Sequence, residues 1–174
     1  MHLLPPPTAR LEFSVFVEAD LADLAALLSD PEVMRYSIRG ARTLAQSRAV
    51  LESFQLAQQT HGFSKWAVRR VDDRSFVGYC GLDYYPVEGQ PEVELGYRLA
   101  VEHWGQGLAT EAAQAVLDWA FRDRRLPYVI GFLDPGNTAS VRVLEKIGMT
   151  RRFSTLIGGH PMDVYRIESP RQAA

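Results

Sequence analysis

The chain has 174 residues, is 47% hydrophobic and 23% charged, and carries a formal net charge of −2 at pH 7. That length can bury roughly 70% of its unfolded surface, enough for one self-sufficient core with no need of a disulfide or a metal. The near-neutral balance lacks the basic field that nucleic acid demands, and no apolar run approaches the ~20 residues of a membrane span. The start also lacks signal-peptide regions, so nucleic acid and membrane are set aside as partners and a cytoplasmic protein is expected.

Met1 to Thr8 holds three consecutive prolines and reads as an extended or frayed lead-in over 1–9, before a single domain over 10–168 and a short tail over 169–174. Leu11, Phe13, Val15 and Val17 alternate as a first strand. Asp20 is placed to cap a helix from Leu21 to Ser29, and Thr43 a longer one reaching about Gln59. Three strands follow: Lys65 to Val71, Phe76 to Tyr84 and Glu92 to Leu99. The Asp72-Asp73-Arg74-Ser75 link between the first two has hairpin chemistry. Cys80, the only cysteine, cannot form an intramolecular disulfide and falls in an apolar strand pattern as a core residue. Lys65 and Lys146 are the only lysines. The arginine excess reads as a compositional bias without functional content.

Next comes Trp104-Gly105-Gln106-Gly107-Leu108-Ala109-Thr110-Glu111, a glycine-rich turn set directly before a long amphipathic helix. Ala109, Ala112, Ala113, Val116, Leu117, Ala120 and Phe121 form one stripe at helical period. Unpaired N–H groups and the positive dipole end at such a helix start suit a phosphate or pyrophosphate, docked against the amides from Gly105 to Thr110. Without a Cβ, Gly105 and Gly107 allow positive φ and close approach. Leu108-Ala109 replace the Lys-Ser/Thr of a Walker A loop, and the third glycine and distal acid of a dinucleotide fingerprint are missing. Alone, the run fits an anion site or a tight strand-to-helix connection equally.

A buried strand, Tyr128 to Leu133, leads to a second capped helix, with Asn137 at the N-cap and Gly148 following Ile147 as a left-handed stop. Ser140, Val143, Leu144 and Ile147 share its inward face. Thr150 to Ile157 and Met162 to Glu168 close the chain, joined by the turn Gly158-Gly159-His160-Pro161. The order is βααβββαβαββ.

The two capped segments resemble the Gcn5-related N-acetyltransferase (GNAT) superfamily, and most closely its ribosomal-protein N-terminal acetyltransferase-like (RimJ/RimL-type) branch. In that family a Q/R-x-x-G-x-G/A loop holds the coenzyme A pyrophosphate. Trp104-Gly105-Gln106-Gly107-Leu108-Ala109 matches it, with Trp in place of Gln or Arg as the branch often has. The likeness also takes in Glu92 to Tyr97 and Asn137 to Met149, and more weakly Arg10 to Ile167. It implies an α/β (α+β) acyl-CoA N-acyltransferase fold: a mixed, centrally splayed sheet of about seven strands flanked by about four helices, split between the fourth and fifth strands. It also implies acetyl-CoA as cosubstrate, no metal, and an amine acceptor attacked directly in a ternary complex.

Acetyl transfer needs a neutral amine, a stabilised oxyanion and a proton for the departing thiolate. Glu92 and Glu94 share one strand face, with Val93, Leu95, Tyr97 and Leu99 on the other. Glu94 matches the family's base, working directly or through water, while a solvated strand face is the plainer alternative. Many relatives place an acidic Tyr where this chain has Leu144; the branch can use a Ser where Ser140 stands. Ser140 is therefore the candidate acid, or else a helix-start serine bonded to local backbone. Asn137 can cap its helix and contact the pantetheine arm together. The family pattern puts the oxyanion donor on a backbone N–H near Leu99 or Ala100, where splayed strand ends would also bond pantetheine.

The resemblance places Met34, Tyr36, Arg39 and Arg42 on one wall of the acceptor site, with Glu92 and His160 at its border. Arginines there can take an acidic or peptide-like substrate, and can equally be ordinary surface groups. His103 adjoins the loop as a surface turn histidine or a coenzyme contact, and the four histidines show no ligand spacing. A primary-amine acceptor follows, a protein N-terminal α-amine or a small molecule such as an antibiotic, polyamine or amino acid. Leu144 keeps open a non-catalytic acyl-CoA sensor. Either a monomer or a homodimer fits the chain.

Overall fold

Strand alternation divides the hydrophobic residues between the two faces of one sheet, and the helices follow that division. The computed structural model describes residues 4–170. Its elements are β1 (Leu11–Ser14), α1 (Leu21–Ser29), α2 (Leu44–His61), β2 (Lys65–Arg70), β3 (Phe76–Val87), β4 (Gln90–Leu99), α3 (Leu108–Arg122), β5 (Tyr128–Leu133), α4 (Thr138–Lys146), β6 (Thr150–Ile157) and β7 (His160–Glu168). The seven strands make one mixed sheet in the order β1-β2-β3-β4-β5-β7-β6. Only β4 and β5 run parallel, and their pairing is confined to Glu94 opposite Ile130. Beyond that pair the strands part, at the position where the sequence predicts the split.

On one face Trp66, Val68, Cys80, Leu82, Leu95 and Leu99 pack beneath α3 and α4, through Leu108, Ala112, Val116, Trp119, Leu144 and Ile147. Trp66 and Trp119 meet edge to face at 5.1 Å, both fully buried. Each large apolar side chain buried in this way contributes roughly 1.5–3 kcal/mol. On the opposite face Ala67 and Tyr79 meet α1 and α2 through Phe16, Leu24, Met34, Leu51 and Phe54. A third cluster of Val87, Ile130, Ile157, Met162 and Val164 fills the far end beneath Ile38 of the α1–α2 loop.

Capping chemistry sets both ends of α2. Thr43 accepts from the Gln46 N–H while Gln46 reaches back to the Thr43 N–H, and Gly62 stops α2 at φ 72°. Asp20 departs from the predicted role. It stands at the start of α1, but its carboxylate turns back to the Val17 N–H at 2.8 Å and pairs with Arg69, closing the preceding 3₁₀ turn. That turn also overturns the predicted length of the first strand. β1 stops at Ser14, Phe16 is buried, and Val15 and Val17 are exposed.

The lead-in is laid against the core as far as it is described. Leu4 packs on the main cluster and the Thr8 hydroxyl donates to Glu111 of α3 at 2.5 Å. Met1 to Leu3 and residues 171–174 lie outside the described residues. Among those described, no helix is long and apolar enough to cross a membrane.

Candidate active site

Splaying β4 from β5 opens a cleft whose two sides carry different chemistry. The Ala100 N–H donates to the Val77 carbonyl at 3.0 Å. Because backbone direction alternates along an antiparallel strand, the N–H groups of Leu99, Tyr97 and Leu95 point away from β3, toward the opening. Of the two oxyanion donors considered from sequence, Ala100 is therefore already spent and Leu99 faces the cleft. Trp104 closes the strand end: its indole N–H donates to the Leu99 carbonyl at 2.8 Å.

Beyond Trp104 the loop has the geometry of an anion cradle. Gly105 and Gly107 hold φ of 72° and 77°, the left-handed region that favours glycine. A Cβ at Gly105 would meet nothing within 4 Å, so the approach is open. No side chain caps α3, whose first recorded intrahelical bond is from the Glu111 N–H to the Gly107 carbonyl. The amides of Leu108, Ala109 and Thr110 are the helix start's unpaired donors. Leu108 anchors the turn in the core, and Gln106 turns its side-chain amide to the Glu102 carbonyl. These features fit a coenzyme pyrophosphate. Arg10, which sequence reading passes over, donates to the Gln106 carbonyl at 3.0 Å and pairs with Glu111. His103 turns elsewhere, its Nε2–H directed at the Phe76 carbonyl at 3.3 Å.

Glu94 sits at the last paired position before the split and is 9% exposed. The expected alternative of a solvated strand face does not hold. Lys65 Nζ pairs with Glu94 Oε2 at 2.5 Å and also donates to the Gly81 and Glu94 carbonyls, each at 3.2 Å. The register explains the reach. Lys65 is opposite Gly81, and Gly81 is opposite Gly96, so two missing side chains leave a trough for the lysine stem. A Cβ on Gly96 would come within 2.8 Å of Lys65 Nζ. Lys65 thus carries a role that the composition argument denied it. Its signal in sequence was one of only two lysines, set directly before the apolar run Trp66-Ala67-Val68. Glu92, on the same face, has Oε2 buried without a hydrogen-bond partner. Its carboxylate, ahead of burial, raises the Tyr128 hydroxyl above the ordinary tyrosine value.

Ser140 stands across the sheet from Glu94, on the α3–α4 side. Asn137 Oδ1 accepts from the Ser140 N–H at 3.2 Å, which is the predicted cap. A side-chain hydrogen bond links Ser140 to Tyr97, whereas a serine at a helix start can instead be spent on local backbone. Tyr97, on the opposite face of β4 from Glu94, supplies a second hydroxyl. It donates to the Ser140 carbonyl at 3.4 Å, and burial raises its pKa well above the usual value. Leu144 is buried in the core.

Over the opposite side of the cleft lies the α1–α2 loop. A Cβ at Gly136 would stand 3.7 Å from Tyr36, and one at Gly158 would stand 3.5 Å from Ile38. The loop thus touches both the β5–α4 loop and the β6–β7 turn. His160 opens β7, exposed, opposite Ile157. Cys80 is fully buried, and burial pushes its thiol up to about 12. Among the described residues, no cluster of three or more His, Cys, Asp or Glu side chains is suited to a metal.

The chain is similar in sequence and fold to acetyltransferases. Residues 10–150 match the family model for the acetyltransferase (GNAT) domain. The Bacillus subtilis (strain 168) protein YkkB is 36% identical over 163 residues, covering 93% of this chain and 94% of its own. A GNAT-family acetyltransferase from Bacillus anthracis superposes with a TM-score of 0.80 at 28% identity, covering 92% of this chain and 95% of that one. RimL, a ribosomal L7/L12 α-N-protein acetyltransferase solved with coenzyme A, shares the fold with a TM-score of 0.78 at 17% identity, covering 94% and 97%. The chain belongs to the GNAT acetyltransferase family and is an acetyl-CoA-dependent N-acetyltransferase.

Proposed function

We propose that the enzyme acetylates a primary amine by direct attack within a ternary complex, with a protein or peptide N-terminal α-amine as the acceptor. The observation that carries this reading is the parting of β4 and β5 immediately after Glu94. It leaves the strand-edge amides of β4 facing an opening that begins at the buried Glu94 carboxylate. Acetyl-CoA, when bound, supplies the acetyl thioester. The amides from Gly105 to Thr110 hold its pyrophosphate, Asn137 and the Leu99 edge meet the pantetheine, and the Leu99 N–H receives the oxyanion.

Glu94 takes the amine proton, and the Ser140 hydroxyl, supported by Tyr97, faces the thiolate. Direct attack is favoured over an acyl-enzyme because Cys80 is buried and its thiol is held protonated at neutral pH. The likeness to RimL supports the α-amine acceptor.

Thermal unfolding with saturating acetyl-CoA tests the coenzyme site. At ~100 times its dissociation constant the ligand adds about 2.7 kcal/mol, a rise of roughly 5–10 °C. No shift at millimolar acetyl-CoA would reduce the glycine loop to a connector. Glu94→Gln and Ser140→Ala are each expected to lower kcat by ~10²-fold with the acetyl-CoA shift retained. Unchanged turnover in both would remove the proton-transfer assignment.

A further inference from the structure

The acceptor side of the cleft carries a group of arginines that the protein itself does not neutralise. Arg98 lies on β4, two alternation steps beyond Glu94 on the same face, where β5 has already turned away. Its guanidinium contacts the Met34 thioether at 2.5 Å and the face of Tyr79 at 6.0 Å, and no carboxylate. A thioether is a weak acceptor for a charged donor. Arg42, at the end of the α1–α2 loop, has its Nε buried without a hydrogen-bond partner. Its pKa is lowered by burial and by the neighbouring charges of Arg39 and Arg98.

Among the described residues no carboxylate pairs with Arg39, Arg42 or Arg98. Several arginines elsewhere on the chain do take acids, as Arg10 takes Glu111 and Arg69 takes Asp20. Glu94, the nearest acid on this face of β4, is already matched by Lys65. Like charges brought together with a buried donor unpaired are unfavourable unless an anion completes them. The loop that carries Arg39 and Arg42 also roofs the cleft through Tyr36 and Ile38.

We infer that Arg39, Arg42 and Arg98 form an oxyanion-binding wall, and that the acceptor is an amine bearing a carboxylate or phosphate group. This rests on the acetyl-transfer reading and gives its acceptor a charge. Guanidinium forks recognise both oxyanions through paired N–H donors. The amine lies toward Glu94 and the anion toward Arg98, so an acidic peptide or an anionic small amine is bound lengthwise, and a polyamine is repelled.

The test uses the full chain with saturating acetyl-CoA, thiol release as readout, and matched acceptors. Ala-Ala is set against Ala-Ala-amide, phosphoethanolamine against ethanolamine, and spermidine serves as the cationic comparator. The anionic member of at least one pair is expected to be favoured about tenfold or more in kcat/KM, with spermidine poorest. Which pair responds distinguishes carboxylate from phosphate. Arg42→Gln and Arg98→Gln should each shrink that preference to about threefold or less while the thermal shift with acetyl-CoA persists.

Equal use of neutral and anionic members, preference for spermidine, or a preference unchanged in both variants would overturn the inference. A binding arm separates it from the acetyl-transfer reading. N-acetyl-Ala-Ala and N-acetylphosphoethanolamine are titrated calorimetrically onto the coenzyme A-saturated protein and both variants. Binding that is lost in the variants, with no turnover of any amine, retains the arginine wall and removes these amines as acceptors. No binding of either probe at millimolar concentration overturns the wall even if neutral amines are acetylated.

Discussion

Lys65 can reach Glu94 only because Gly81 and Gly96 stand where its stem must pass, so one ion pair depends on four residues from three strands. Both side chains are nearly closed to water, at 8% and 12% exposure. A pair so buried is strongly asymmetric in its energetics: removing one partner strands the other charge, whereas removing both leaves apolar surface to pack. Lys65→Met is therefore expected to lose about 3–5 kcal/mol of stability in urea unfolding. The Lys65→Met/Glu94→Leu pair should recover most of that loss. Equal losses in the single and double variants would show that the carboxylate does not depend on the ammonium. A chain that uses arginine almost everywhere keeps lysine here because a compact ammonium fits between two strand carbonyls and a carboxylate, which a planar guanidinium fork does not.

At the scale of elements, the parts written in local chemistry were legible and the parts set by register were not. α1, β5 and β6 begin and end where the sequence places them, because helical apolar period in α1, the apolar run of β5 and the glycines that flank β6 act within a few residues. The β3–β4 hairpin is longer than predicted on both sides, since Pro86 and Pro91 look like breakers. They face each other in a position whose backbone nitrogens point out of the ladder, so neither costs a bond, and Glu88-Gly89 close the turn at positive φ. The glycine-rich turn before α3 was legible for the same local reason, while Lys65 finds its partners across strands and Arg98 and Tyr97 meet Met34 of the α1–α2 loop and Ser140 of α4. Gly78 makes the dependence on register testable. A Cβ there would run into the Arg98 carbonyl and Leu99 backbone, whereas a Cβ at Gly89 meets only open space. Gly78→Ala should therefore cost about 3 kcal/mol or more. Gly89→Ala should cost only about 1–2 kcal/mol, the strain of its positive φ. Comparable melting temperatures for the two would contradict this packing.

Across the whole molecule, Thr8 and Arg10 are tied to α3 by one carboxylate. Glu111, in the first turn of α3, accepts from the Thr8 hydroxyl and the Arg10 backbone N–H and pairs with the Arg10 guanidinium. Burial alone would raise its pKa, but the bonds from Thr8 and Arg10 and the arginine's charge outweigh burial and hold it below the ordinary 4.5. A carboxyl depressed on folding binds its proton more tightly in the unfolded chain. Its stabilisation is therefore complete above the unfolded value and disappears as pH falls through the folded one. Glu111→Gln should accordingly melt below the wild type at pH 7, with the gap closing as pH is lowered from about 5 toward 3. The size of the gap is limited by the solvent exposure of Arg10, which screens the pair. Salt should narrow it further at pH 7. A gap that persists unchanged at pH 3 would mean that Glu111 acts through packing alone. The same contact bears on the pyrophosphate site proposed at this helix start, where an unpaired carboxylate would repel the anion and Arg10 offsets that charge. Arg10→Gln should therefore weaken acetyl-CoA binding several-fold at low salt and flatten its salt dependence, while Thr8→Val, which leaves the ion pair in place, should change stability without changing affinity.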